Sequence, residues 1–495
     1  MSGTRTIAPS AQQPAEPPAD GEPRLRAASV GMWDLAFFVV AAAAPLSVMS
    51  GVSPLAIQFG GIGAPGGYLL AGIVFLVFAV GFTAMARRLP RAGAFYAYIT
   101  HGLGRPVGVG AALVAVVAYN TIAIGFVAGI GVFAEATFRD VFGIDLPWWL
   151  WAALGLATIG YLGFNRITLS AKVLAVLLIA EVLVLVVLAV PVILDGGANG
   201  LSFAGFSPSN VFGAGVGALF VLSFGAFLGF ESTAIYREEA RDPDRSVPRA
   251  TYLAVAFMGL FYALIVWVVI MAFGSAEALR VAADDPADMY FIAMREWVGN
   301  GASDAMHILI VTSTVASTLA YHNAASRYFF VLGREGVLPA ALGRARASNG
   351  APGVASVTQI AIMALVVGLF TLFGAAPYEQ TFLWLNGTGI VGLIALQSLC
   401  SFAVLAWFRR TPGDANVVQR VIAPLIAGLS LGIVVVLIVE NFSILTGAGD
   451  LVNLLLLLPV PLAMAAGVLV ALRIRARDPE RYASLTSTRA AALRD

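Results

Sequence analysis

The chain has 495 residues, of which 59% are hydrophobic and 12% charged, and its mean hydropathy is +0.88. These values exclude an ordinary soluble protein, whose charged fraction is about 25%. The formal net charge of +1 gives no indication of a nucleic-acid partner. The single cysteine, Cys400, excludes an intrachain disulfide and a cysteine-rich metal site. We therefore expect an integral membrane protein that lies in a lipid bilayer.

Twelve apolar stretches follow one another along the chain, each near the roughly 20 residues that a bilayer core requires. We predict that each forms a transmembrane helix, and we number these segments as predicted helices 1 to 12. Their approximate bounds are Trp33 to Gln58, Gly67 to Met85, Pro106 to Phe138, Pro147 to Phe164, Leu169 to Leu194, Val211 to Tyr236, Tyr252 to Phe273, His307 to Leu332, Ser356 to Phe373, Phe382 to Trp407, Val421 to Val439 and Leu451 to Leu472.

Cationic residues between these stretches predict the orientation. Nearly all of them fall on one side of the membrane, and the opposite side carries only Arg139, Arg280 and Arg295. The positive-inside rule places the cationic side in the cytoplasm. Twelve spans then put both termini in the cytoplasm, and we expect the plasma (inner) membrane as the location.

The chain divides into three predicted parts. Residues 1–29 are rich in proline and poor in large apolar side chains, which predicts a disordered cytoplasmic tail. Residues 30–475 are predicted to form the helical domain, and residues 476–495 a cytoplasmic C-terminal tail. The first apolar stretch is too long for the apolar region of a signal peptide, so we expect it to remain as predicted helix 1.

Two of the predicted helices are interrupted. Predicted helix 1 has Pro45 among the small residues between Ala41 and Gly51, and predicted helix 6 contains the run from Gly225 to Ser232, which includes Glu231. In lipid, backbone leaves the helix only where protein or a water-filled cavity satisfies its polar groups, so the two breaks indicate a pocket. Glu231 is either a functional intramembrane carboxylate or a structural buried acid.

Paired broken helices, five spans apart, are typical of inverted-repeat transporters with a central site. We predict a 5+5 inverted repeat with halves at about 33–194 and 211–407, followed by two appended helices. The break in predicted helix 1 would present N–H groups near Ser47 to Gly51, which suit a carboxylate. The break in predicted helix 6 would present carbonyls around Phe224 to Phe227, which suit an ammonium group. A zwitterion is the simplest ligand for both ends.

Three stretches carry a recognisable pattern. They are Arg88-Leu-Pro-Arg-Ala-Gly-Ala-Phe-Tyr96 with Gly102-Leu-Gly104; Gly229-Phe-Glu-Ser232 with Glu238-Glu239, Asp242-Pro243 and Pro248-Arg249-Ala250; and Ser326-Arg327 with Gly333-Arg-Glu-Gly336, Leu338-Pro339 and Ala351-Pro352. In this spacing they resemble the amino acid-polyamine-organocation superfamily, and within it the bacterial amino acid permeases. The resemblance covers about residues 30 to 475. It implies the leucine-transporter-type fold and secondary active transport of small amino acids or related amines by alternating access.

The resemblance also implies site residues by position. Tyr321 falls where family members often hold an aromatic side chain over the substrate, and Tyr119 lies in predicted helix 3 near the expected depth; either also fits ordinary packing. Gly225 stands where some members have an aromatic gate, so the pocket is expected to close differently or to admit a larger ligand. The implied unwound segments are Ala43 to Ser47 in predicted helix 1 and Phe227 to Phe230 in predicted helix 6. Their implied substrate-binding residues are Ala43, Ala44, Pro45, Leu46, Ser47, Phe227, Leu228 and Gly229.

Three polar residues are candidates for coupling transport to an ion. Some family members use a lysine of helix 5 in place of a sodium ion, but the only lysine here, Lys172, lies at the cytoplasmic entrance. Glu181 lies roughly 13 Å deeper along the same helix. It either carries a proton or cation or is an acid bonded to a neighbouring helix. Ser313 and Ser317 either offer hydroxyls to a sodium ion or bond their own backbone.

The remaining polar groups are expected to have no special role. We interpret Asp284, Asp285 and Asp288 as a solvated extracytoplasmic loop, and His307 and His322 as satisfied polar groups near the ends of predicted helix 8. No metal ion and no cofactor are expected.

The predicted function is transport and not catalysis. We expect a permease that moves a small amino acid or related amine through one central pocket, driven by a proton gradient or by exchange. A polyamine or simple amine is the alternative cargo of the same fold. A membrane enzyme is disfavoured because the sequence has no zinc-type histidine cluster, no Gly-x-Ser-x-Gly element and no paired intramembrane aspartates. An uncoupled channel would need pore-lining rings or filter repeats.

Overall fold

The computed structural model describes residues 31–89, 94–165, 171–231, 240–346 and 351–485, and their secondary structure is helical. The α-helices in chain order are α1 (Met32–Ala43), α2 (Pro45–Gly51), α3 (Ser53–Gly60), α4 (Ala64–Ala86), α5 (Ala94–Leu103), α6 (Arg105–Phe142), α7 (Trp148–Phe164), α8 (Ala171–Leu194), α9 (Pro208–Val211), α10 (Val216–Gly225), α11 (Pro243–Phe273), α12 (Ser275–Asp284), α13 (Met289–Trp297), α14 (Asn300–Arg334), α15 (Gly353–Leu372), α16 (Leu383–Arg410), α17 (Ala423–Glu440), α18 (Phe442–Thr446), α19 (Asp450–Leu457), α20 (Pro459–Arg477) and α21 (Pro479–Ser484).

The all-helical, apolar architecture predicted from the sequence is confirmed. Predicted helix 1 corresponds to α1 to α3, predicted helix 6 begins with α10, and predicted helix 12 corresponds to α19 and α20. Within the described ranges, eight helical segments are long and apolar enough to cross a membrane, and α7 and α10 are shorter apolar helices. The count of twelve crossings and the inverted repeat stay predictions. The predicted tail of residues 1–29 lies outside the described residues.

The longest helix, α6, lies at the centre of the bundle, where it contacts α5, α7, α14, α16 and α20. Glycine allows its closest crossing, because a Cβ atom at Gly467 of α20 would lie 2.6 Å from the Cα atom of Gly110. Small residues at such crossings let two helix backbones approach each other in a membrane. This contact holds the first part of α6 closely against α20.

Helices at the periphery expose apolar side chains. Val176 of α8, Leu365 of α15, Ile433 of α17 and Leu469 of α20 are each at least 60% exposed. Contiguous apolar surface of this kind marks contact with lipid or another protein. It occurs on several outer helices, whereas α6 is largely buried.

The first helix break lies at Ala44, which has φ 45° and ψ 73°. α1 ends one residue before it, and α2 begins at Pro45, whose ring suits the first position of a helix and has no N–H group. Among the described residues, Ala44 is the one non-glycine residue with positive φ. A left-handed conformation costs an L-amino acid about 1–2 kcal/mol, so the break stores backbone strain.

We expect Ala44→Gly to raise the melting temperature of the purified protein by a few degrees at most. Glycine removes the Cβ strain at this φ, although the greater freedom of the unfolded chain offsets about 0.5–1 kcal/mol of the gain. Ala36→Gly, inside α1, is the matched control and should lower the melting temperature, because glycine costs a helix interior about 1 kcal/mol. Differential scanning fluorimetry in detergent compares the two. Equal destabilisation by both variants would contradict a strained Ala44.

The second helix break follows α10. Two tight turns continue from that helix, in which Phe227 N–H donates to the Phe224 carbonyl and Leu228 N–H to the Gly225 carbonyl, both at 3.2 Å. Gly229 then has φ 109°, a conformation that favours glycine. The segment 232–239, which contains the motif residues Ser232, Glu238 and Glu239, lies outside the described residues.

α21 and the residues beside it pack against the start of α6 and the end of α14 on the predicted cytoplasmic side. Arg105 at the start of α6 donates through Nη2 to the Ala483 carbonyl at 2.9 Å, and Arg481 donates through Nε to the Glu335 carbonyl at 3.0 Å. Leu485 is fully buried. The first part of the predicted tail 476–495 is therefore structured, and residues 486–495 lie outside the described residues.

Candidate functional site

A buried carboxylate meets the first helix break. The backbone N–H of Leu46, in the first turn of α2, donates to Oε2 of Glu181 in α8 at 3.2 Å, and Glu181 is only 5% exposed. The first N–H groups of a helix have no partner within it and carry partial positive charge. An acceptor oxygen from α8 therefore satisfies an N–H group that the break at Ala44 leaves free.

α14 packs against the same break through its hydroxyl groups. The side chains of Ser47 and Thr314 form a hydrogen bond of 3.0 Å. Ser313 faces Glu181, yet its hydroxyl makes no hydrogen bond of good geometry within the described residues. Ser317 donates to the backbone carbonyl of Ser313 at 3.1 Å. Ser313 is therefore the hydroxyl of this helix that stays available beside the carboxylate.

A second buried carboxylate lies at the other break. Glu231 is 2% exposed, and it accepts hydrogen bonds from the Tyr119 hydroxyl at 2.8 Å and from the Gly229 N–H at 2.9 Å. The two bonds use different carboxylate oxygens. Through these two hydrogen bonds, Glu231 connects the turn at Gly229 to Tyr119 of α6. It accepts from the Gly229 N–H group, which the helix break leaves without a helical partner.

Aromatic side chains connect this carboxylate to α14. The ring of Tyr119 stacks on Tyr328 with centroids 5.6 Å apart and lies 6.4 Å from Tyr321. Tyr321 in turn lies 5.4 Å from Phe126. Aromatic pairs at such distances add about 0.5–1.5 kcal/mol beyond the burial of their area, so the cluster holds α6 and α14 together beside Glu231.

A cavity opens between the two breaks. Its empty volume, with the open solvent at its mouth included, is about 500 Å³. Residues of both breaks contribute to the wall, with α6, α14 and α16 completing it. The lining is mostly apolar and its polar side chains are Tyr321 and Asn386. The arrangement suits a small ligand with a few polar groups.

The predicted site residues do not all reach this cavity. Ala43, Leu228 and Tyr321 line it, whereas Phe227 points away, with its ring 5.3 Å from Phe75 and 6.0 Å from Tyr262. Other predicted residues lie one contact further out. Ala44, Pro45, Leu46 and Ser47 form the buried backbone of the first break, Tyr119, Gly229 and Glu231 form the carboxylate contact, and Glu181, Ser313 and Ser317 lie between α8 and α14.

Several lining residues were not predicted. Phe126, Phe382 and Ile390 belong to apolar stretches and give no sequence signal that separates them from packing residues. Asn386 could have been found, because an amide inside an apolar stretch is uncommon and tends to be functional. At Gly225, where the pocket is expected to close differently or to admit a larger ligand, the side chain of Ile390 in α16 packs against the glycine. A Cβ atom there would lie 2.5 Å from Cδ1 of Ile390, so this side chain occupies the space beside the glycine.

A model of a known protein family matches most of the chain. The family is described as amino acid permease, and the match runs over residues 34–479. The chain belongs to the amino acid permease family. Membership indicates transport and not catalysis, and together with the apolar helices it makes the protein a multi-pass membrane protein.

Curated relatives of this family differ in the cargo that their names state. The branched-chain amino acid permease BcaP of Lactococcus lactis is 28% identical over 346 residues, which cover 64% of this chain and 70% of that protein. The aromatic amino acid transport protein AroP of Escherichia coli is 25% identical over 379 residues, covering 74% and 78%. The low-affinity putrescine importer PlaP of Escherichia coli is 22% identical over 282 residues, covering 56% of this chain and 60% of that protein.

Proposed function

We propose that the protein is a secondary active transporter that carries a small amino acid or related amine across the plasma membrane by alternating access. Twelve helices cross the membrane in this proposal, ten of them in a 5+5 inverted repeat, and both termini are cytoplasmic. Proton movement or exchange of substrates drives the transport. Family membership and the cargo named for the relatives support this proposal.

One observation carries the proposal at the level of the site: a cavity lies between two helix breaks, and a buried carboxylate contacts each break. Broken helices at a central site are the usual way in which transporters expose backbone polar groups to a ligand. Glu181 and Glu231 satisfy some of these groups in the protein alone. The charged group of a bound substrate either competes with these hydrogen bonds or adds to them. Substrate binding is thereby coupled to the positions of α2 and of the residues after α10.

A specific observation favours a simple amine as the second candidate substrate. The residues lining the cavity include no lysine or arginine, while two buried carboxylates, Glu181 and Glu231, contact the two helix breaks that contribute to its wall. A cation entering this site is stabilised by each of these groups that is ionised. The carboxylate of an amino acid instead depends on N–H groups of the first break, one of which already donates to Glu181.

Competition between an amino acid and its decarboxylated amine tests the two candidates. Leucine against isoamylamine and ornithine against putrescine are matched pairs, and a thermal-shift assay on purified protein measures binding. We expect the amino acid of at least one pair to bind, and its methyl ester to bind at least tenfold more weakly, because a buried N–H group loses its charged partner. Binding of amines alone would establish the second candidate. No shift with any amino acid or amine would contradict both.

A further inference from the structure

At the end of the bundle opposite α21, three potential metal ligands come together from separate elements. Asp140 lies near the end of α6, Asp288 immediately precedes α13, and His307 lies in the second turn of α14. One ligand atom from each residue lies within 4.8 Å of the others. The proposed orientation places this cluster on the extracytoplasmic face, where the sequence predicts a solvated acidic loop that includes Asp288.

The histidine supplies the independent indication of a ligand. His307 is 2% exposed, and neither ring nitrogen has a hydrogen-bond partner among the described residues. Buried polar atoms are almost always paired, since leaving one unpaired costs free energy. The ring plane is fixed by Phe291, which stacks on it with centroids 3.8 Å apart. The histidine is therefore held in one orientation beside two carboxylates.

The surrounding structure holds the three elements in place. The Thr137 hydroxyl of α6 donates to the His307 carbonyl at 2.9 Å, which ties α6 to α14 at this point. Arg139 contacts Oδ1 of Asp140 at 2.9 Å, and Arg295 contacts Oδ2 of Asp288 at 2.7 Å. Each of these contacts uses one carboxylate oxygen. Each aspartate therefore retains a second oxygen that can bind a cation.

We propose that Asp140, Asp288 and His307 form a binding site for a divalent transition metal ion, with Zn²⁺ as the best match. One imidazole and two carboxylates are a mixed nitrogen and oxygen set that suits Zn²⁺ better than Ca²⁺ or Mg²⁺, and a water molecule completes four-coordination. Bonds of about 2.0–2.1 Å place tetrahedral ligands about 3.3 Å apart. Rotation of the two aspartate side chains brings the ligand atoms from within 4.8 Å of one another to this separation. The bound ion then connects α6, α14 and the segment between α12 and α13.

Zn²⁺ titration of the tag-free, purified full-length protein tests this site by calorimetry and by thermal shift. We expect one Zn²⁺ per chain and a melting temperature several degrees higher, with at least tenfold weaker binding of Mg²⁺ and Ca²⁺. His307→Gln and Asp288→Asn should each weaken Zn²⁺ binding on the order of tenfold or more. Asp140→Asn, at an exposed position, makes the same test if the buried histidine variant fails to fold.

Matched controls are available within the chain. Asp284→Asn changes a neighbouring acid that pairs with Arg280, and His101→Gln changes an exposed histidine; both variants should bind Zn²⁺ as the wild type does. The proposal is overturned if the wild-type protein takes up no Zn²⁺ in the tested range. It is equally overturned if the cluster variants bind Zn²⁺ as tightly as the two controls.

Discussion

Glu231→Gln is expected to reduce substrate uptake by about 30- to 100-fold while the protein still folds and inserts into the membrane. Glutamine retains both hydrogen bonds, because its oxygen can accept from Gly229 and its amide can donate to the Tyr119 oxygen. The substitution removes the ability of this side chain to ionise. A hydrogen bond to a charged group contributes about 1.5–3 kcal/mol, and about 1.4 kcal/mol corresponds to a factor of ten. Uptake of radiolabelled substrate, normalised to the amount of protein in the membrane, measures the effect.

Two further variants separate charge from packing at this position. Tyr119→Phe removes the hydrogen bond to Glu231 but keeps the aromatic ring against Tyr328, so we expect a smaller loss than with Glu231→Gln. Glu335→Gln makes the same change in another tyrosine–glutamate contact, with Tyr96 as the donor, away from the cavity. Substrate binding should be unchanged in this control. If Glu231→Gln transports as the wild type does, Glu231 is a structural acid.

Glu181→Gln is expected to abolish accumulation of substrate against a gradient while exchange across the membrane continues. The amide oxygen still accepts from the Leu46 N–H, so the first break keeps its contact with α8. The variant can no longer carry the negative charge or take up a proton. In proteoliposomes, the ratio of internal to external substrate should fall to about one, the value for uncoupled transport.

The apolar variant Glu181→Leu shows what the hydrogen bond contributes apart from the charge. It leaves the Leu46 N–H without its acceptor in a buried environment, at a cost of about 1–3 kcal/mol. We expect a lower melting temperature than for Glu181→Gln. If Glu181→Gln still accumulates substrate against a gradient, the role of Glu181 is purely structural, whatever the stability of Glu181→Leu.

Glu181 and Glu231 make the same kind of contact at the two helix breaks. A helix break inside an apolar bundle exposes N–H groups, and in each case a carboxylate from the protein accepts at least one of them. These hydrogen bonds are short and buried, so salt in the surrounding water screens them little. We expect coupling and substrate binding to depend on the charges of these residues more than on their size.

The sequence alone determined the parts of this protein that depend on local composition. Apolar length predicted where the helices lie, and Pro45 and the glycines around Glu231 predicted both helix breaks, because proline and glycine change the backbone irrespective of their surroundings. Family membership was also accessible, since it rests on motifs such as Gly229-Phe-Glu-Ser232. The identification of Glu181 and Glu231 as unusual needed only their rarity inside apolar stretches.

The tertiary structure decided which groups meet. Leu46 and Glu181 are 135 residues apart in the chain, and Tyr119 and Glu231 are 112 apart, so no local pattern could pair them. It also turned Phe227 away from the cavity, placed Ile390 beside Gly225 and brought His307 to Asp140 and Asp288. A helix periodicity predicts which side chains share a face. The partner of that face is chosen by packing between distant helices, where small residues and side-chain volumes set how closely two backbones approach.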